Sequence, residues 1–88
     1  MARLTAARLD QALRLLARGA WQDAHLIVQQ DEGSALACWA HGIVHVLEGD
    51  LDNARYWYRR AGRTFPDRID AQAEVQALRE AAARDGSG

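Results

Sequence analysis

The residues best suited to chemistry in this chain are a cysteine and two histidines on one short stretch. Cys38, His41 and His45 follow a C-x2-H-x3-H spacing, and Glu48 lies three residues further on. On a helix these positions fall roughly on one side, so thiol, imidazole and carboxylate groups converge. His25 could join them from across a helical hairpin. The set predicts a Zn²⁺-like metal site or a histidine that acts as a general base.

A structural role for the same residues is the competing interpretation. In a helical core the rings face inward, where Tyr58, a carboxylate or a carbonyl can satisfy their nitrogens. Cys38 as a nucleophile beside His41 is a further alternative, although no oxyanion donor or orienting third group can be named. No second pair of ligands follows at zinc-finger spacing. We therefore expect a non-enzymatic protein without a cofactor. The metal or catalytic candidates are Cys38, His25, His41 and His45.

A basic and aromatic segment is suited to binding a partner. Residues 55–63 hold four arginines interleaved with Tyr56 and Trp57. Arg55 and Arg59 lie one helical turn apart, with Tyr56 beside them, an arrangement that can grip acidic side chains or phosphate. A solvated helix face with local ion pairs is the plainer interpretation.

Apolar residues of the preceding segment could form a docking face. Trp39, Ile43 and Val46 recur at helical spacing, and tryptophan is enriched where protein interfaces gain most of their affinity. The same residues could instead pack in a small core, or bury one another between two copies of the chain. The predicted partner-binding residues are Trp39, Ile43, Val46, Arg55, Tyr56 and Arg59.

The composition indicates one small helical domain. The chain has 88 residues, 49% of them hydrophobic, with one proline and a formal net charge of −1. This charge gives no bias toward nucleic acid, so we expect no such partner. A single cysteine excludes an intramolecular disulfide and favours the cytoplasm, and no apolar run approaches the ~20 residues of a membrane span. We predict a domain over 1–84 and a flexible tail over 85–88.

Hydrophobic periodicity and capping residues predict five antiparallel helices, an all-α fold. The first spans about 4–18 and the second about 21–30. Ser34 is suited to cap the third, which ends at Glu48 before Gly49. Asp50 caps the fourth, with inward positions that include Leu51, and Pro66 terminates it. Asp67 caps the fifth, whose apolar stripe resembles that of a capping helix.

Residues 35–66 resemble one tetratricopeptide unit. The matching positions are Gly42, Gly49, Leu51, Ala54, Tyr58, Ala61 and Pro66. Residues 5–31 carry a weaker copy, with Gly19, Trp21 and Ala24. The resemblance implies two helical hairpins plus a C-terminal cap, and a protein that binds a peptide or partner protein. Cys38, His41 and His45 depart from the usual tryptophan, leucine and tyrosine.

The resemblance makes one specific structural demand. Gly42 and Ala54 must lie where the third and fourth helices touch, because small residues let two helix axes approach closely. The predicted function is thus protein–protein interaction, with an acidic peptide as one partner class. The alternatives are a metal-binding, small-ligand or catalytic site on Cys38 and the histidines, and a self-associating structural protein.

Overall fold

The computed structural model describes residues 3–86, and this part of the chain is all helical, with no strand. The prediction of an all-α fold is confirmed. The five helices are α1 (Ala6–Ala17), α2 (Trp21–Val28), α3 (Ala35–Glu48), α4 (Leu51–Arg60) and α5 (Ala71–Gly86). Among the described residues, no helix has the length and apolar character needed to cross a membrane.

Short polar side chains cap the starts of several helices. The Thr5 and Ser34 hydroxyls accept from the backbone N–H groups of Arg8 and Ala37 at 3.1 and 3.2 Å. Each bond satisfies one of the free N–H groups of a first helical turn. The Asp50 carboxylate does the same for α4. Gly49 ends α3 with φ +92°, a left-handed conformation that favours glycine. The caps predicted at Ser34 and Asp50 are therefore confirmed.

Two predicted boundaries are wrong. α4 ends at Arg60 rather than Pro66, since Gly62 turns the chain with φ +75° well before the proline. α5 begins after Asp70, whose carboxylate accepts from two backbone N–H groups of the first turn, so Asp67 is not its cap. Leu51, predicted to face inward, is 40% exposed at the start of α4.

The last helix extends into the C-terminal segment. Asp85 and Gly86 belong to α5, and they are the first two residues of the segment predicted to be a flexible tail. The remaining tail residues, 87 and 88, lie outside the described residues, as do residues 1 and 2.

α3 is the central helix and contacts the other four. It contributes an unbroken buried run from Ala37 to His45. α5 packs on α1 and α3, and within the described chain no Cα of α5 comes within 8 Å of one in α4. The radius of gyration is 11.5 Å and the extents are 31 × 24 × 23 Å, so the helices form a closed bundle. Both the α2–α3 and α3–α4 contacts bring polar side chains to one flank of α3.

A close contact joins α3 to α4 at Gly42. A Cβ atom placed there would lie 2.5 and 2.7 Å from the Tyr58 ring and 3.3 Å from the Ala54 carbonyl oxygen. Ala54 is itself completely buried. The prediction that Gly42 and Ala54 meet at a helix contact is confirmed, and this approach sets the depth at which the flanking side chains of α3 meet α4.

A shared carboxylate joins three helices beneath this contact. Glu74 Oε1 on α5 accepts from Tyr58 Oη at 2.6 Å and from Trp39 Nε1 at 3.1 Å. Burial raises the pKa of the Tyr58 hydroxyl, and the neighbouring Glu74 carboxylate raises it further. Tyr58 therefore remains a protonated donor, committed to Glu74 and turned away from the histidines.

Candidate metal centre

The three histidines of the chain converge on one flank of α3. His41 and His45 lie one turn apart on α3, and His25 faces them from α2. The His25 ring centroid is 4.8 Å from that of His41 and 5.3 Å from that of His45, and the two α3 rings are 5.1 Å apart. One ring nitrogen of each lies within 4.8 Å of the others. We call His25, His41 and His45 the histidine cluster.

Two of the rings point nitrogen at nitrogen. His25 Nε2 lies 3.1 Å from His41 Nε2. Between neutral imidazoles such a contact holds one proton, so one nitrogen donates and the other offers a lone pair. His41 Nδ1 is buried and has no hydrogen-bond partner among the described residues. An unpaired buried polar atom is costly, and the Nε2 contact with His25 leaves this cost in place.

The third ring is oriented by a carboxylate. Glu48 Oε1 lies 2.7 Å from His45 Nδ1. Because a carboxylate accepts hydrogen bonds, Nδ1 carries the proton, and Nε2 keeps its lone pair. Metal-binding histidines commonly donate their other N–H to a carboxylate in this way, which fixes the ring and raises its basicity. Glu48 and Asp50 also lie within 4.8 Å of a nitrogen of His45, but both are exposed acidic groups.

An aromatic stack fixes the plane of the His41 ring. Trp57 on α4 lies parallel to it, with centroids 3.8 Å apart and 9° between planes. The Arg60 guanidinium carbon lies 5.3 Å from the Trp57 ring centroid. Trp57 is thus a wall of the histidine cluster that the sequence did not identify. One feature of the sequence could have indicated this role. Trp57 lies one turn beyond Ala54, and the contact of Ala54 with α3 brings the same region of α4 against His41.

Burial keeps two rings of the histidine cluster, those of His25 and His41, in the neutral form. Burial lowers the pKa of His41 to about 3, with smaller contributions from the charges that His25 and His45 would carry. Burial also lowers the pKa of His25, and His45 adds to this effect while Glu48 opposes it. At neutral pH His25 and His41 are therefore uncharged imidazoles, the form that binds metal ions.

Cys38 does not belong to the histidine cluster, and its predicted convergence with the histidines is wrong. Its Sγ donates to the Glu32 carbonyl oxygen at 3.3 Å, on the loop before α3. Burial raises the pKa of the thiol, although the nearby Arg60 guanidinium opposes the shift. A raised pKa disfavours the thiolate that a nucleophile or metal ligand requires. The physical reason for the error is the bond to Glu32, which holds the Cys38 side chain toward the loop before α3.

The predicted docking residues are divided by the structure. Trp39 and Ile43 are 2% and 0% exposed, so they lie in the core, and their predicted place on an exposed docking face is wrong. Val46 is half-buried. The remaining three, Arg55, Tyr56 and Arg59, are exposed on α4. The prediction of an exposed docking face was wrong because α5, which is later in the chain, covers Trp39. Glu74 of α5 accepts a hydrogen bond from the Trp39 indole.

Comparison with known proteins gives no match that could support or change these observations. No protein-family model, no curated protein and no solved structure matches the chain. The tetratricopeptide resemblance of residues 35–66 therefore stays a prediction, and the functional argument rests on the geometry of the histidine cluster.

Proposed function

We propose that this protein binds one divalent transition-metal ion, of the class that prefers imidazole ligands, at His25, His41 and His45. The observation that carries the proposal is the convergence of one nitrogen from each ring within 4.8 Å, from two different helices. Zn²⁺, Ni²⁺ and Cu²⁺ all accept such nitrogen ligands, and we take Zn²⁺ as the test ion.

The spacing of the closest pair supports this proposal. Two nitrogens bound to one tetrahedral Zn²⁺ at about 2.0–2.1 Å are separated by roughly 3.3 Å. His25 Nε2 and His41 Nε2 are already 3.1 Å apart. The Glu48 contact occupies His45 Nδ1 and leaves its Nε2 available to an ion. A bound ion would replace the single shared proton with two favourable bonds.

The ligand set indicates what the ion would do. Three histidines leave a fourth tetrahedral position for water or an outside donor, as in zinc sites that are not closed by four protein ligands. Because His25 belongs to α2 and the other two ligands to α3, the ion would also hold these helices together. Metal binding would therefore add to folding stability.

Titration of the metal-free protein with Zn²⁺ tests the proposal. Calorimetry should give one ion per chain, and His25→Ala and His45→Ala should each weaken binding at least 100-fold. Gln22→Ala, an exposed change on α2, serves as the matched control and should bind like the unaltered protein. Circular dichroism of the metal-free variants checks that they remain helical.

Spectroscopy of the unaltered chain removes the dependence on variant folding. Zinc should shift ring ¹⁵N resonances of all three histidines in long-range ¹H–¹⁵N spectra. Binding of zinc without any change in the histidine resonances would refute the proposal, as would an absence of binding at millimolar zinc.

A second candidate function, docking of an acidic partner, is favoured by the exposed arginines of α4. The Arg59 side chain has no hydrogen bond or ion pair among the described residues. Arg55 makes a 3.5 Å contact with the fully exposed Asp52, and its guanidinium carbon lies 5.0 Å from the Phe65 ring centroid. Tyr56 is 45% exposed beside them. An acidic peptide would complement this face, which we propose as the interaction surface of a tetratricopeptide-like α3–α4 hairpin.

Fluorescence anisotropy with a labelled glutamate-rich peptide tests this surface. Arg59→Glu should weaken binding about tenfold and reduce its dependence on salt, since each arginine contact is charge-assisted. Arg68→Glu, in the loop before α5, is the control with the same change in net charge. Equal weakening by both variants would show attraction to net charge alone and would count against the surface.

A further inference from the structure

A cleft lies in a different part of the bundle from the histidine cluster. It has a volume of about 480 Å³ and is enclosed by the segment before α1, by α1 itself, by the start of α3 and by the second half of α5. None of the three histidines lines it. The volume falls in the range of clefts that hold small organic ligands, roughly 300–1,000 Å³.

The walls of the cleft are mainly apolar. Leu9 and Leu13 of α1 are buried side chains of the core that also face the cleft, and Leu4 and Leu36 are half-buried along it. Ala82 of α5 completes this lining with a small side chain. Leucine walls of this kind suit a hydrocarbon or aromatic body, since its burial removes apolar surface from water.

One cation in the cleft wall has a buried nitrogen without a partner. Arg79 on α5 lines the cleft, and its Nε is buried without a hydrogen-bond acceptor in the described part of the chain. Arg14 on α1, which also lines the cleft, is already paired with Asp10 at 2.8 Å. Asp85 also lines the cleft, but it is exposed to solvent. An unpaired guanidinium that is partly withdrawn from water favours an anion, and its planar fork matches a carboxylate.

We propose that this cleft binds a small amphipathic carboxylate, with its apolar body on the leucines and its carboxylate on Arg79. Medium-chain fatty acids and aromatic propionates share this chemistry. The proposal is independent of the metal site, because the two sites have no residue in common.

Octanoate and octanol form a ligand pair that isolates the role of the carboxylate. Titration of the ¹⁵N-labelled full chain, with a chelator present, should shift resonances of Leu9, Leu13 and Leu36 with octanoate. Octanol should bind roughly 10–100-fold more weakly, the loss expected when a charged hydrogen bond is removed. A parallel titration with 3-phenylpropionate distinguishes an aromatic body from an alkyl chain.

Two arginine variants make the test specific. Arg79→Met keeps the apolar stem and should reduce octanoate affinity to that of octanol, while leaving octanol binding unchanged. Arg68→Met, outside the cleft, should change neither, and His25→Ala should retain octanoate binding even if the metal site is lost. Three results would each overturn the proposal. They are no octanoate binding at millimolar concentration, an octanoate affinity of Arg79→Met equal to that of the unaltered protein, and resonance shifts confined to the histidine cluster.

Discussion

Each histidine of the cluster is constrained by a different neighbour. His41 is stacked on Trp57, His45 donates to Glu48, and His25 meets His41 through their Nε2 atoms. A single residue type thus meets three environments, one aromatic, one carboxylate and one imidazole. These neighbours leave the rings little rotational freedom, and preorganised ligands lose less entropy on binding an ion.

The role of Glu48 as the partner of His45 leads to a prediction for affinity. Glu48→Ala should weaken Zn²⁺ binding about 10–100-fold, the usual cost of losing the outer partner of a metal-bound histidine. Glu48→Gln, which keeps an acceptor and loses the charge, should bind Zn²⁺ with an affinity between those of Glu48→Ala and the unaltered protein. Competition with a fluorescent zinc chelator measures these affinities. Glu80→Gln, an exposed change on α5, is the control, and an unchanged affinity for Glu48→Ala would contradict the assigned role.

The lowered pKa of His41 predicts that acid destabilises the metal-free protein. Its pKa is about 3 in the folded chain against 6.5 for the free side chain. Between these values the unfolded chain binds a proton that the folded chain does not, so unfolding free energy falls as pH falls from about 6.5 toward about 3. The slope from this residue is at most about 1.4 kcal/mol per pH unit, and it vanishes above pH 6.5.

Urea unfolding of the metal-free protein and of His41→Asn between pH 4 and 8 isolates this contribution. The difference in unfolding free energy between the two should shrink as the solution becomes acidic, because the variant lacks the titrating ring. Parallel pH profiles would show that His41 does not carry the burial penalty assigned to it.

At the level of helices, the capping of a helix by nearby side chains could be predicted from the sequence, whereas the covering of one helix by a distant one could not. Ser34 and Asp50 cap helices as predicted, because a cap depends on a side chain and the next three residues. The end of α4 was misplaced because Gly62 and Pro66 both break helices, and the glycine acts first.

The candidate site was likewise predicted only in part, because local spacing was predictable and long-range packing was not. Helical spacing places His41 and His45 together, and the hairpin brings His25 to them. The exclusion of Cys38 depends on its bond to Glu32, and the place of Trp57 depends on how deeply α4 packs. Neither follows from spacing within one helix.

The α3–α4 contact predicts a cost for adding one methyl group at Gly42. Gly42→Ala should lower unfolding free energy by about 1–2 kcal/mol, since overpacking of about 1–3 kcal/mol outweighs a gain of up to about 1 kcal/mol in helix propensity. The Tyr58 ring cannot move away freely, because its hydroxyl is held by Glu74 at 2.6 Å.

Chemical denaturation of Gly42→Ala and of a matched variant measures this cost. Gly33→Ala is the control, since a Cβ there would meet only Asp31 Oδ1 at 3.8 Å. A Gly42→Ala protein as stable as the control would mean that the two helices do not approach as closely as described.

On the scale of the whole molecule, Glu74 links α3, α4 and α5. Glu74→Ala would leave the Trp39 indole N–H and the Tyr58 hydroxyl without their shared acceptor, in partly buried positions. We expect a loss of about 2–4 kcal/mol in unfolding free energy. Thermal and urea unfolding measure it, with the exposed Gln76→Ala on the same helix as control. A loss no larger than that of the control would contradict the linking role.

The closed bundle explains why the metal proposal takes precedence over the docking face predicted from sequence. α5 packs on α1 and α3, and Trp39 and Ile43 become core residues. The same tryptophan was the predicted contact for self-association, so burial removes it from that role as well. In place of the predicted docking face, the surface has separate exposed apolar residues, among them Leu26 and Leu51.

The most direct test of the account is a crystal of the zinc-treated protein measured on both sides of the zinc absorption edge. Anomalous scattering should locate one zinc ion at about 2.0–2.1 Å from a nitrogen of each of His25, His41 and His45. His45 should still donate through Nδ1 to Glu48. A zinc ion held at a different group of residues, or the histidine cluster unchanged with no anomalous peak in it, would contradict the central claim.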